Sequence, residues 1–184
     1  SLEEELRKML EKVERDVRRN IERNKRLLDR SRENVKENIK KNRELLKEIE
    51  KDVRKLETDV KDKKLLDEIR KILEEIAKLV EESIRRIEEA LEKSERLVER
   101  SIREIKRVLD EIRRLVEEVR KRIRSEKLAE DAKRRLEELV REIHKISEDA
   151  LEEIKRVNKE INDVSKEMLD RLRELLKEIK ERTR

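Results

Sequence analysis

Hydrophobic residues recur in this chain at intervals of 18 residues. The clearest columns are Leu66, Ile84 and Ile102; Ile69, Ile87 and Ile105; and Leu73, Leu91 and Leu109. Because an α-helix has about 3.6 residues per turn, 18 residues make five whole turns and the members of a column lie directly above one another. A heptad repeat would instead drift by about 20° every seven residues. The pattern therefore predicts long, nearly straight helices, each with one buried aliphatic stripe.

The rotational phase of this stripe changes twice along the chain. The stripe from Leu6 to Val60 shifts by about half a turn at Leu65, and a second shift follows Ile123. A single amphipathic helix keeps one phase, so each shift marks a break. The breaks predict three helices, at residues 2–59, 63–124 and 126–183.

The breaks also suggest how the helices are capped and arranged. Asp59 and Asp62 are available caps at the first break, and Ser125 is the predicted N-cap of the third helix. Short connections make successive helices antiparallel neighbours. We therefore expect an all-α fold, an antiparallel three-helix bundle of long, nearly straight helices that forms a single domain over residues 1–184.

The composition favours helices over disorder. Charged residues make up 57% of the chain and hydrophobic residues 33%, with no Gly, Pro, Cys or aromatic residue. So much charge is also typical of disordered chains, but there the hydrophobic residues are sparse and scattered. Here they are periodic, as in long helices with one buried stripe.

Asn and Ser residues interrupt the hydrophobic stripes of all three helices. They are Asn20, Asn24, Ser31, Asn38 and Asn42, then Ser83, Ser94 and Ser101, and finally Ser147, Asn158 and Ser165. Facing residues of antiparallel helices have a nearly constant sum of residue numbers. Three pairs share the sum 125: Asn42 with Ser83, Ser31 with Ser94, and Asn24 with Ser101. We therefore predict a structural network of buried polar side chains in three layers.

The expected role of these layers is to specify register and association. Uniform aliphatic stripes could slide by a turn, whereas a buried amide that is satisfied in one arrangement penalises the others. We expect substitution of Asn24 and Asn42 by Leu to raise thermal stability but loosen register. Asn34 and Asn162 lie at stripe edges, where chance occurrence is an equal alternative. A polar binding cavity is less favoured, because Asn and Ser supply no charge.

The residues needed for catalysis or cofactor binding are missing. Without Gly there is no phosphate-binding loop, and without Cys no thiolate site. The lone histidine, His144, has Arg141 where a Glu-x-x-His metal motif requires Glu. We expect His144 to pair with Glu148 one turn later. We therefore expect that the chain is not an enzyme and that it binds neither a cofactor nor a metal ion.

Charge and hydropathy also limit the expected partners. The 55 basic and 50 acidic residues are interleaved, so no basic face suits nucleic acid, and no apolar run is long enough for a membrane span. We expect a soluble protein that requires no partner, without a targeting signal to indicate its location. An outer column of Leu79, Leu97 and Leu115 leaves a homo-oligomer possible.

In style, the whole chain resembles de novo designed parametric helical bundles with buried hydrogen-bond networks. The features that carry this resemblance are the Leu66, Ile84 and Ile102 column, the Glu/Lys/Arg surfaces, the Ser1-Leu2-Glu3-Glu4 opening, in which Ser1 is the predicted cap, and the layered Asn and Ser residues. Such designs commonly have Gly or Pro in their loops, and this chain has neither. The resemblance implies a thermostable scaffold without natural biochemical activity. The alternatives are a self-assembling module that uses the outer leucine column, and a spectrin-like rod, which would carry core tryptophans.

Overall fold

The computed structural model describes residues 2–122 and 126–183, and these residues form three long helices. Helix α1 spans Leu2–Asp59, α2 spans Lys63–Arg122 and α3 spans Glu126–Arg182, with no strand in the described residues. The predicted all-α three-helix bundle is therefore confirmed. Helix α3 ends one residue earlier than predicted, because Thr183 lies in a turn. The capping roles predicted for Ser1 and Ser125, and the predicted continuation of the second helix to residue 124, lie outside the described residues.

The connection between α1 and α2 consists of Val60, Lys61 and Asp62. Asp62 caps α2, since its Oδ1 accepts a hydrogen bond from the Lys64 N–H at 3.0 Å. Its carbonyl oxygen accepts the Leu66 N–H at 3.1 Å, which is the first helical bond of α2. Asp59, the other candidate, is the last residue of α1 and does not precede α2 directly.

The chain divides into two compact units, each built from a segment of all three helices. Unit 1 comprises Ser1–Arg30 and Ser94–Lys155, and unit 2 comprises Ser31–Lys93 and Arg156–Arg184.

Ion pairs at the helix edges show that α1 and α2 are antiparallel in unit 1. Arg120 Nε lies 2.8 Å from Glu3 Oε1, and Arg113 Nε lies 3.1 Å from Glu14 Oε1. Residue numbers therefore fall along α2 in the direction in which they rise along α1. Helix α3 joins the same unit through Arg135, whose Nη2 is 3.1 Å from Glu111.

In unit 2, ion pairs likewise join α1 to α2 and α2 to α3. Arg70 pairs with Glu57 at 3.3 Å across the α1–α2 edge, and Arg182 pairs with Glu68 at 3.3 Å across the α2–α3 edge. Each of these exposed pairs contributes little to the free energy of unfolding, but together they show which helix edges face one another.

The 18-residue columns form the aliphatic core. Ile69 and Ile87 in unit 2 and Ile105 in unit 1, all from one column, are each fully buried at 0% exposure. In unit 1 the core continues through residues such as Val17, Ile112, Leu139 and Ile143. In unit 2 it continues through residues such as Ile49, Ile76, Leu172 and Ile179. Burial of these side chains is the main favourable contribution to folding.

The outer leucine column is half-buried. Leu79 packs against the core of unit 2, and Leu115 packs against the core of unit 1. Leu97 is half-buried as well. Among the described residues, the large hydrophobic side chain found exposed is instead Leu128, at the start of α3.

Candidate functional site

The polar residues of the stripes lie inside the helical packing. Eight of them are buried: Asn24, Ser31, Asn42, Ser83, Ser94, Ser101, Ser147 and Ser165. Asn20, Asn38 and Asn158 are half-buried. Since an unpaired buried amide or hydroxyl costs about 1–3 kcal/mol, what matters for each residue is whether it has a partner.

Five polar residues of α1 and α3 are hydrogen-bonded together in unit 2, and we call them the unit 2 cluster: Asn34, Asn38, Asn42, Asn162 and Ser165. At its centre Asn42 is fully buried at 0% exposure. Its Nδ2 donates to Ser165 Oγ at 3.1 Å and to the carbonyl oxygen of Asn38 at 2.7 Å. One amide therefore connects α1 to α3 and also bonds to the backbone of its own helix.

The rim of the unit 2 cluster is made of three amides. Asn38 Nδ2 donates to Asn34 Oδ1 at 3.3 Å and to Asn162 Oδ1 at 3.1 Å. Asn34 Nδ2 also donates to Asn162 Oδ1, at 2.9 Å. The structure thus brings together Asn34 and Asn162, the two residues that sequence analysis left open. The sequence signal that Asn34 joins the other amides is its spacing, because Asn34 lies one turn before Asn38 on the same helix edge.

The corresponding polar residues of unit 1 have unpartnered atoms. Asn20, Asn24 and Ser147, which we call the unit 1 set, lie 18 residues before Asn38, Asn42 and Ser165. Asn24 is 0% exposed, yet neither its Nδ2 nor its Oδ1 has a hydrogen-bond partner. Asn20 Nδ2 and Ser147 Oγ are unpartnered as well. Residues of the same type in corresponding positions therefore differ in whether they are satisfied.

Further polar atoms, one of them in the unit 2 cluster, are buried without a partner. In unit 2 these are Asn42 Oδ1, Ser83 Oγ and Asn158 Oδ1, and in unit 1 the Ser94 hydroxyl is in the same state. Ser83 is therefore buried as predicted from its place in the stripe but does not join the hydrogen bonds of the unit 2 cluster.

A surface groove of about 610 Å³ runs between α1 and α2 in unit 1. Its apolar floor includes Leu6, Leu10 and Val116, and its rim carries charged residues. Two of these rim residues, Glu3 and Arg120, pair with each other across the groove.

Several ionisable residues of unit 1 form ion pairs at the surface. His144 is exposed, and the nearby Glu148 lies 3.8 Å from Arg23 of α1. The carboxylates of Glu138 and Glu111, which accept hydrogen bonds from Arg135, raise the pKa of its guanidinium. In residues 2–122 and 126–183, no group of three acidic, histidine or cysteine side chains is placed to hold a metal ion. Over the same residues, none of the helices has an apolar stretch that could cross a bilayer.

Comparisons of the chain with protein-family models, with curated proteins and with solved structures find no match. The fold and the two groups of buried polar residues are therefore the basis on which a function can be argued.

Proposed function

We propose that the protein is a de novo designed structural scaffold in which buried polar side chains fix the register and pairing of the helices. No catalytic activity, cofactor or partner is part of this proposal. The observation that carries it is the fully buried Asn42, whose Nδ2 donates to Ser165 on a different helix and to the Asn38 carbonyl on its own. A one-turn slide of α1 against α3 would move Asn42 by about 5.4 Å and break the bond to Ser165.

The aliphatic neighbours explain why such a device is needed. Around the unit 2 cluster, the core consists of Leu, Ile and Val side chains that repeat every 18 residues. An aliphatic side chain makes similar contacts after a shift of one turn, whereas a hydrogen bond needs a donor and an acceptor within about 3.2 Å. The polar residues therefore separate the correct register from its neighbours in free energy.

A distance measurement across α1 and α3 tests this role. Because the chain has no cysteine, spin labels can be attached through Lys36→Cys and Lys180→Cys, two exposed positions of unit 2 that lie far apart along the helix axis, so that a slide of one helix changes their distance. The unmodified sequence should give one narrow distance distribution. Asn42→Leu should broaden it or add a component shifted by about 5 Å, one helical turn.

The matched control is Asn24→Leu with the same pair of labels. Asn24 is equally buried but holds no hydrogen bond in the structure, so this variant should leave the unit 2 distance unchanged. A single narrow distribution that is the same for Asn42→Leu and the parent would show that Asn42 does not set the register.

Self-assembly through the outer leucine column is the second candidate function. The half-burial of Leu79 and Leu115 against the cores of their own units weakens it. Light scattering after size exclusion decides between the two, since the scaffold proposal expects a mass near 22.6 kDa. A mass of twice that value would favour assembly.

A further inference from the structure

The 18-residue repeat gives every member of the unit 2 cluster a counterpart in unit 1. Three counterparts keep the residue type: Asn24 for Asn42, Asn20 for Asn38 and Ser147 for Ser165. The other two do not, because Asp16 stands in the place of Asn34 and His144 in the place of Asn162. The chain's lone histidine and a carboxylate therefore occupy the positions where unit 2 has two amides in contact.

The burial of these positions is the same in both units. Asp16 is half-buried like Asn34, and His144 is exposed like Asn162. The register of α1 against α3 also agrees. Arg23 and Glu148, a pair in unit 1, are 125 residues apart, and Asn38 and Asn162, a pair in unit 2, are 124 residues apart. Asp16 and His144 consequently lie at matching heights on the facing edges of α1 and α3.

Asn20 supplies the second observation. Its counterpart Asn38 donates to Asn34 and Asn162, whereas Asn20 Nδ2 is buried without a partner. A carboxylate at position 16, one turn earlier on the same edge, is an acceptor for this amide. The accessible side chains of Asp16 and His144 can change rotamer to meet it.

We propose that Asp16, Asn20 and His144 form a pH-dependent connection between α1 and α3 in unit 1. The Asp16 carboxylate accepts one hydrogen bond from Asn20 Nδ2 and another from the His144 imidazole. The described contacts contain no bond between Asp16 and His144. The connection forms when the imidazole takes up a proton, becomes a donor at both nitrogens and is drawn to the carboxylate.

Other charged groups near His144 come from two helices. On α3 they are Arg141 and Glu148, and on α1 they are Asp16 and Arg23, with Arg23 already paired to Glu148 at 3.8 Å. Lys12 and Arg19 are the neighbours of Asp16 one turn away on its own helix.

Helix α2 meets the opposite edge of α3. There Glu111 pairs with Arg135, which precedes His144 by nine residues, or two and a half turns. Glu148 therefore competes with Asp16 as an acceptor for His144. The nearby arginines disfavour a positive charge on the imidazole.

The pH window follows from the composition. Carboxylates ordinarily change charge near pH 4, imidazoles near pH 6.5 and lysines above pH 10. The chain has one histidine, and imidazole is the type of side chain whose ordinary pKa lies between pH 5.5 and 7.5. The connection is expected to be stronger at pH 5.5 than at pH 7.5, because the neutral imidazole donates without the help of a positive charge.

Hydrogen exchange of the backbone amides of residues 13–24 tests the proposal. After correction for intrinsic rates, local opening should be about two- to five-fold rarer at pH 5.5 than at pH 7.5, the effect expected for a partly exposed ion pair. The matched variant is Asp16→Asn with His144→Asn, which copies the chemistry of unit 2 and should remove the difference. The amides of residues 31–42 in unit 2 are an internal control and should not respond.

Two results would overturn the proposal. One is a parent protein whose opening in residues 13–24 is the same at both pH values. The other is a pH response that survives in Asp16→Asn but disappears in Glu148→Gln, because the histidine would then act within α3 alone. A positive result can be extended by Asn34→Asp with Asn162→His, which should transfer the pH response to unit 2.

Discussion

The two units place the same amides in corresponding positions and satisfy them differently. Asn42 in unit 2 donates two hydrogen bonds, whereas the equally buried Asn24 in unit 1 makes none. Each has a serine 123 residues later on α3, Ser165 and Ser147 respectively. A buried amide with a suitable neighbour in register is therefore not sufficient for a hydrogen bond.

The rims of the two sites differ in sequence. In unit 2, Asn34 and Asn162 hold the Asn38 side chain, and the Asn38 carbonyl accepts a bond from Asn42. In unit 1 the residues that correspond to Asn34 and Asn162 are Asp16 and His144. The comparison indicates that the N–H donors of the amides are satisfied as a group, and that Asn34 and Asn162 contribute to the outcome.

The aliphatic core should show no such difference between the units. Ile69 in unit 2 and Ile105 in unit 1 belong to one column and are both 0% exposed. Ile69→Ala and Ile105→Ala should each lower the free energy of unfolding by about 2–5 kcal/mol. Urea denaturation of the two variants measures this. A large inequality between them would mean that the units differ in packing as well as in polar satisfaction.

The amide positions should respond in opposite directions. Asn24→Leu removes two unpartnered buried atoms and should raise the free energy of unfolding by about 1–3 kcal/mol. Asn42→Leu removes two hydrogen bonds and leaves Ser165 Oγ without its donor, but it also removes the unpartnered Asn42 Oδ1. It should therefore be neutral or destabilising by about 1 kcal/mol. Denaturant midpoints at constant m-value give both numbers. Equal stabilisation by the two substitutions would contradict the contrast between the sites.

This expectation revises the one drawn from the sequence, in which both substitutions were treated alike. The fold itself was predictable, because phase shifts at Leu65 and after Ile123 locate the breaks and Asp62 is a good cap. Burial of Asn24 and Asn42 was also predictable from their place in the stripe. Their hydrogen bonds were not, because these depend on side-chain rotamers and on distances of a few tenths of an ångström.

The edge positions show a second limit of sequence reasoning. Asn34 and Asn162 lie at the edges of the hydrophobic stripes. There the helical rotation of about 100° per residue does not tell whether a side chain is buried or exposed. In the structure one is half-buried and the other exposed, and both are hydrogen-bonded. Pairing across helices was needed to recognise them, since neither helix alone distinguishes an edge amide from a solvated one.

The cap of α2 can be used to perturb unit 2 alone. Asp62→Ala removes the acceptor of the Lys64 N–H and should cost about 1 kcal/mol. Hydrogen exchange should show faster opening in the first turns of α2, while the amides of residues 13–24 in unit 1 remain as in the parent. An Asp62→Asn variant, which keeps a capping oxygen, should retain most of the protection. Equal acceleration in both units would show that they open together, so that their polar sites could not be compared independently.

The smallest expected effects are those of the edge ion pairs, which have similar geometry in the two units. Arg113 lies 3.1 Å from Glu14 in unit 1, and Arg70 lies 3.3 Å from Glu57 in unit 2. Both arginine side chains are about half exposed, at 49% and 57%, so water and salt screen the attraction. Arg113→Gln and Arg70→Gln should each change the free energy of unfolding by less than about 1 kcal/mol, and by similar amounts. Double-mutant cycles with Glu14→Gln and Glu57→Gln, at low and high salt, isolate the pair energies. A coupling in one unit that exceeds the other and persists in high salt would place the difference between the units at their helix edges as well as in their buried amides.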